Sequence, residues 1–175
     1  MDIKEILKAH ELWVNSEGRK GERARLCNAD LRGAYLSGLN LDGVDLRGAD
    51  LRGAVLRKTK LRRADLRGAD LEGADLKDCR LNAADLTHST LKNSNLFGAT
   101  LEGATLRGAN LRGACLHTAL VFGADFREAD LLDADLRAHG LGGSNMQGAH
   151  VDRDTPEKQG RVRRSRRRET EGAEV

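Results

Sequence analysis

The sequence predicts a solenoid in which the chain turns a corner every five residues. Two regularities and one exclusion lead there. Counting in fives from Leu26 to Val151 gives 26 positions, of which 22 are Leu and the others are Val121, Phe126, Met146 and Val151. Two residues before each sits a small residue, Ala in 18 of the 26 cases, and the residue just before is Asp in 10 cases and Asn in 4. The unit reads Ala-Asp-Leu-Arg-Gly, as at Ala49 to Gly53. Neither common element accommodates a period of five. An α-helix advances about 100° per residue, so steps of five would wind the leucines around every side. A flat strand alternates with period two, so steps of five would send successive leucines to opposite faces. Burying all of them requires a bend once per unit, and a unit that buries its face only against its neighbours is a solenoid repeat. The apolar period never slips, which predicts a stretch without an inserted loop.

The Ala-Asp/Asn-Leu-x-x pattern resembles the pentapeptide-repeat family, over Ala24 to Val151, nearly three quarters of the chain. The resemblance implies an all-β solenoid, a right-handed quadrilateral parallel β-helix with four repeats per coil. That makes about six and a half coils and, at ~4.8 Å per coil, a rod on the order of 30 Å long. On that fold Leu and the small residue two before it point inward, and the other three residues face water. Gly fills the last outward position in 14 of 25 repeats, where a corner benefits from free backbone dihedrals. Cys79 and His139 fall at inward small positions, the first as packing and the second as a misfit in a loosened last coil. Cys27 and Cys115 fall outward as candidate free thiols.

The chain divides into a lead-in (1–23), the repeats (24–151) and a tail (152–175). Asp2-Ile3-Lys4-Glu5 reads as a capping box. Ile3, Ile6, Leu7, His10, Trp13 and Val14 then follow helical spacing, which predicts an amphipathic helix over 3–14. Asn15-Ser16-Glu17-Gly18 ends it. A β-solenoid needs its first coil covered, because open edges pair with other chains. The helix is therefore expected to be a lid with Trp13 on the first leucines; a partner-binding helix is the competing reading. The stretches Leu12-Trp13 and Arg23 to Leu26 are similar to lead-ins of the same family. The tail holds the single proline, Pro156, and almost nothing apolar. It reads as a solvated, disordered segment. Arg161, Arg163, Arg164, Arg166, Arg167 and Arg168 make it a candidate electrostatic contact with nucleic acid or an anionic surface. It has no aromatic residue to stack on bases, so such binding would be non-specific.

Residues twenty apart stack on one wall of such a rod. Asp45, Asp65, Asp85 and Asp125 share a column, and Arg47, Arg67, Arg107 and Arg127 share the column two residues along. These alternating columns predict exposed Asp–Arg networks, worth about 0–1 kcal/mol per pair. Two regions depart from that rule. Residues 57–63 hold five basic side chains in seven, and Arg80 stacks on Lys60. Arg57, Lys58, Lys60, Arg62, Arg63 and Arg80 form a candidate basic patch for phosphate or an acidic partner, or ordinary surface variation. The other region is apolar. Phe97 faces outward with His117 one coil beyond, and Leu120 and Phe122 flank the inward Val121. A contiguous apolar cluster marks an interface, so Phe97, His117, Leu120 and Phe122 are a candidate protein-contact or self-association patch. Tyr35 and Val55, stacked on one column, form a smaller one.

Composition and motifs exclude other classes. No stretch approaches 18 uninterrupted apolar residues, which argues against a membrane span, and the N-terminus lacks the apolar run of a secretory signal. Three Cys without metal-ligand spacing point to a reducing compartment, with the cytoplasm as the expected location. The five His, His10, His88, His117, His139 and His150, have neither ligand spacing nor a paired nucleophile. There is no phosphate-binding Gly loop and no nine-residue calcium roll. No catalytic residue, metal or cofactor is expected. The chain reads as a non-catalytic scaffold or protein-interaction module with an unknown protein partner, and as a possible homodimer. The alternative reading is a DNA-mimic-type binder of DNA gyrase, since the family also contains proteins that protect DNA gyrase from quinolones by presenting a DNA-like acidic rod. Residues 24–151 hold 17 basic and 16 acidic side chains, a balance far from that of a DNA mimic. The sequence also shows no projecting loop and no apolar C-terminal helix.

Overall fold

The computed structural model describes residues 3–152; Asp2 and the arginines from Arg161 to Arg168 lie outside them. One α-helix, α1 (Ile3–Asn15), opens the chain. It is followed by a ladder of single-residue parallel bridges from Arg25↔Asp45 to Asp130↔His150. All but one of the bridges join residues twenty apart, so four five-residue units return the chain to the same face. No continuous strand forms among the described residues, because a corner every five residues leaves each extended piece too short.

One repeat explains the construction. The amide of Leu66 donates to the Asp85 carbonyl at 2.7 Å and that of Gly68 to the Thr87 carbonyl at 3.0 Å, both one coil on. Asp65 donates back to Val44, and Ala69 closes the corner onto the Leu66 carbonyl. Four of the five amides are thus bonded within the backbone, as burial of a polar chain demands. The fifth, on Arg67, is reached by the Asp65 side chain at 3.4 Å. Every Asp and Asn that precedes an inward leucine-position residue makes this contact, from Asp30 to Asn145. A short side-chain oxygen that folds onto the amide two residues ahead is an Asx turn. That is why Asp or Asn stands there, and why most of these side chains, Asp30 and Asn145 apart, are half-buried or buried rather than facing water as expected.

The interior is filled by the ladder itself. Leu46 to Leu116 are each at most 1% exposed, and Phe126 is fully buried among them. Polar residues at small inward positions are satisfied locally: Thr59 Oγ1 donates to the Leu36 carbonyl at 2.8 Å, and the Cys79 thiol to that of Leu56 at 2.6 Å. Burial pushes the Cys79 thiol up to about 12. The corner position takes positive φ from Asn28 to Asp133, including at ten residues that are not glycine, among them Lys58 (58°), Arg63 (55°), Ala83 (56°) and Thr118 (59°).

The expectation of an unbroken register is corrected near the end. Leu120 pairs with His139, nineteen residues on, while Asp125 pairs with Asn145. Ala138, not His139, takes the small inward position at 1% exposure, and His139 is exposed. An imidazole does not fit the narrow interior, so the chain slips by one residue. A 3-10 turn at Leu141–Gly143 takes up the extra residue.

At the other end α1 is the lid, with Ile3, Ile6 and Leu7 packed on the core. The residue at its centre is His10, fully buried, rather than Trp13. Trp13 stacks on His10 at 5.6 Å and reaches Gly43. His10 Nδ1 accepts the Ala24 amide at 3.1 Å, capping an edge donor of the first coil.

Candidate functional site

The outer walls differ in how their charges are used. Six arginines of the rod fold back onto the Asp two residues before them. Arg47 Nη2 lies 2.7 Å from Asp45, and Arg67 Nη2 lies 2.6 Å from Asp65; the same pairing joins Arg32, Arg52, Arg127 and Arg137 to their Asp. Contacts along the columns are longer, at 3.5 Å for Arg47–Asp65 and 3.7 Å for Arg67–Asp85. The networks expected between coils are therefore mainly pairs within one repeat. The guanidinium hydrogen bonds hold the Asp30 and Asp135 carboxyls down at about 2, and hold those of Asp45, Asp50, Asp65 and Asp125 below their ordinary range.

One ladder lacks this arrangement. The bridges Asn40↔Lys60↔Arg80↔Thr100↔Leu120 run along one face, and beyond Asn40 none of these residues is Asp or Asn. With no carboxylate to fold back on, the neighbouring cations stay free. Of the six residues of the expected basic patch, Arg57 is neutralised by Asp75, and Arg62 by Asp42 at 2.6 Å. Asp42 also accepts the Arg62 amide at 2.8 Å, replacing the missing Asx contact from one coil away. Lys58, Lys60, Arg63 and Arg80 make no ion pair among the described residues.

The aromatic residues lie farther along the same edge. Phe97 and His117 stack at 5.5 Å, with rings 17° apart, and Lys77 Nζ sits 5.1 Å above the Phe97 ring. Residues 77, 97 and 117 are one coil apart in order, so Lys77 and His117 cover opposite faces of Phe97 and leave its edge to solvent. His117 Nδ1 is buried without a hydrogen-bond partner, 3.7 Å from an Asp135 oxygen. Phe97 is 37% exposed and Phe122 53%. Leu120 is half-buried, and Phe122 lies against Gly140 in the slipped segment. The structure thus joins Phe97 to His117 directly and sets Leu120 and Phe122 on the next face. Of the smaller patch, Tyr35 is 86% exposed and bridges Val55, which is half-buried.

Other features were not visible in the sequence. The apolar pattern offered no signal of the Lys77 contact or of the bond between His10 and the Ala24 amide. A cleft between α1 and the first coil is lined by Ile6, Trp13, Glu22, Arg23 and Arg25 among others, with neither a nucleophile nor a histidine. No group of three His, Cys, Asp or Glu among the described residues is placed to hold a metal. None of their helices is long and apolar enough to cross a membrane.

Comparison with known proteins bears on this geometry. The family described as pentapeptide repeats matches in eight copies, over residues 22–57, 40–78 and 79–117. Curated proteins gave no match. Among solved structures, the chain is similar to a pentapeptide repeat protein of the Arabidopsis thaliana thylakoid lumen, at 32% identity over 61% of this chain and 71% of that one, with a TM-score of 0.45. It is also similar to HetL, involved in heterocyst differentiation regulation in the cyanobacterium Nostoc sp. strain PCC 7120, at 25% identity over 89% of this chain and 99% of that one, with a TM-score of 0.29. A third similarity is to QnrB1, a plasmid-mediated fluoroquinolone resistance protein, at 22% identity over 79% and 71% of the two chains, with a TM-score of 0.41.

Proposed function

The chain belongs to the pentapeptide-repeat family, and from that premise we propose that it is a non-catalytic interaction scaffold whose contact surface is the edge carrying Phe97, His117, Leu120 and Phe122. One observation carries the reading: the rod's exposed aromatic side chains other than Tyr35, namely Phe97 and Phe122, lie along one edge, while the neighbouring walls are closed by Asp–Arg pairs. An apolar cluster held out of a stable frame is what a partner surface needs. Among the described residues the inward leucines from Leu46 to Leu116 are at most 1% exposed and pack with the small residues between them. Residence in the cytoplasm belongs to the same reading, with Cys27, Cys79 and Cys115 as thiols.

The reading is favoured over a DNA mimic by the state of the acidic columns. Asp30, Asp45, Asp50, Asp65, Asp125 and Asp135 are each neutralised by an arginine two residues on, so they form no continuous negative face. The test is the double variant Phe97→Glu/Phe122→Glu, compared with the parent by affinity capture and sedimentation velocity. Loss of captured protein or of self-association, with an unchanged melting curve, supports the proposal. Unchanged capture and sedimentation would remove it.

A further inference from the structure

We infer that the edge takes an extended segment of a partner protein, with carboxylates at one end and apolar side chains at the other, laid along the rod axis. This rests on the contact reading above and names the chemistry of the partner. The cations without an ion pair and the exposed aromatics occupy the same edge in sequence. Lys58, Lys60, Arg63, Lys77 and Arg80 come first, and Phe97, His117, Leu120 and Phe122 follow. Apart from Arg25, these five are the cations of residues 24–151 with no ion pair among the described residues. Besides Asp42 and Asp75, which are spent on Arg62 and Arg57, two carboxylates stand near them: Asp78, folded over Gly98, and Glu102, which accepts from Asn82 at 3.0 Å. The surplus is positive at one end of the edge and vanishes at the other.

The spacing sets the ligand's length. Lys60 and Leu120 are three bridges apart on one ladder, about 14 Å at ~4.8 Å per coil, and an extended peptide covers that in about four residues. Free cations on an exposed rim attract and orient a carboxylate-bearing chain, while the apolar end supplies buried area. A single-stranded nucleic acid would meet the same cations, but base stacking needs an open aromatic face. Both faces of Phe97 are already covered, by Lys77 and His117, and the Phe122 ring has Gly140 lying against it. The geometry therefore favours a peptide.

The test uses the full chain and a fluorescein-labelled peptide holding three acidic residues, a Gly-Ser spacer and Leu-Phe, in both chain directions, read by anisotropy. Binding should weaken about tenfold in Lys60→Glu/Arg80→Glu and in Phe97→Ser/Phe122→Ser, corresponding to about 1.4 kcal/mol. It should weaken a few-fold, roughly threefold, in Lys58→Gly/Arg63→Gly. That last pair removes two cations at positive φ of 58° and 55°, where Gly is well tolerated, and an unchanged melting curve separates its loss from misfolding. The wall variant Arg67→Ser should bind as the parent does. If the aromatic pair matters and neither charge pair does, the acidic partner is wrong while the contact reading stands. If none of the variants changes binding, both readings fall. Displacement of the peptide by an equal concentration of oligo-dT would overturn the inference in favour of nucleic acid.

Discussion

The wall carrying Asp45, Asp65 and Asp85 and the ladder carrying Lys60, Arg80 and Leu120 share one backbone and one interior, yet they differ in what their outer side chains are free to do. On the first, each Asp caps the amide two residues ahead and, at Asp45 and Asp65, also holds an arginine. Both sets of groups are spent on the rod. On the second, the Asx position beyond Asn40 is filled by residues that make no such contact, Lys60 and Arg80 have no ion pair among the described residues, and Phe122 stands exposed. Loss of one local contact per repeat is thus what frees a surface for contact with something else.

Several changes would break or sharpen that comparison. The largest effect lies beneath both regions. Leu86→Ala, under fully buried Leu86, should cost about 2–5 kcal/mol in urea-unfolding free energy, with an equal effect whichever wall it backs. Corner backbone comes next. Gly53 has φ of 64° with nothing within 4 Å of an added Cβ, so Gly53→Ala should cost about 1–2 kcal/mol from φ alone. Ala83→Gly should return roughly 0.5–1 kcal/mol in the same assay. A smaller effect separates capping from charge. Asp70 accepts the Glu72 amide at 3.0 Å, and Asn keeps that acceptor. Asp70→Ala should cost about 1 kcal/mol and Asp70→Asn almost nothing. Equal losses would mean that charge, not the Asx turn, is what the walls need.

Acid separates the lid from the walls. Burial lowers the His10 pKa, and Arg23 lowers it further against the opposing effect of Asp42. The folded chain therefore binds fewer protons than the unfolded one below the ordinary value of about 6.5. Its contribution is complete above that pH and is lost as pH falls toward the folded value. The wall carboxylates act lower, because Asp30 and Asp135 are held at about 2. Their contribution is complete above about 4 and is lost from there toward 2. Denaturation midpoints against pH should show two separate declines. His10→Gln, which keeps an acceptor for the Ala24 amide, should remove only the upper one.

The inward positions could be read from residues alone, because a five-residue apolar period admits few ways to bury its leucines. The outward positions were legible as columns but not as contacts. Asp45 and Arg47 were expected to network along the rod, whereas an Asx turn fixes the carboxylate inside its own repeat. The basic patch lost Arg57 and Arg62 to Asp75 and Asp42, since only coordinates show which carboxylate reaches over from the neighbouring coil. His139 misled for a different reason. The apolar spacing stays intact across it, so the slip that expels the imidazole leaves no trace in the pattern. His10 sits on the helical apolar stripe, but nothing in that stripe marks it as the residue that would meet a free amide.

The account turns on one edge of the rod being set apart for contact while the paired walls are not. Amide chemical-shift mapping of the isotopically labelled chain, titrated with the acidic–apolar peptide, tests it most directly. The account predicts shifts confined to residues 57–63, 77–80, 97–100 and 117–122. Shifts centred on the Asp–Arg walls, around residues 45–52 and 65–70, would contradict it.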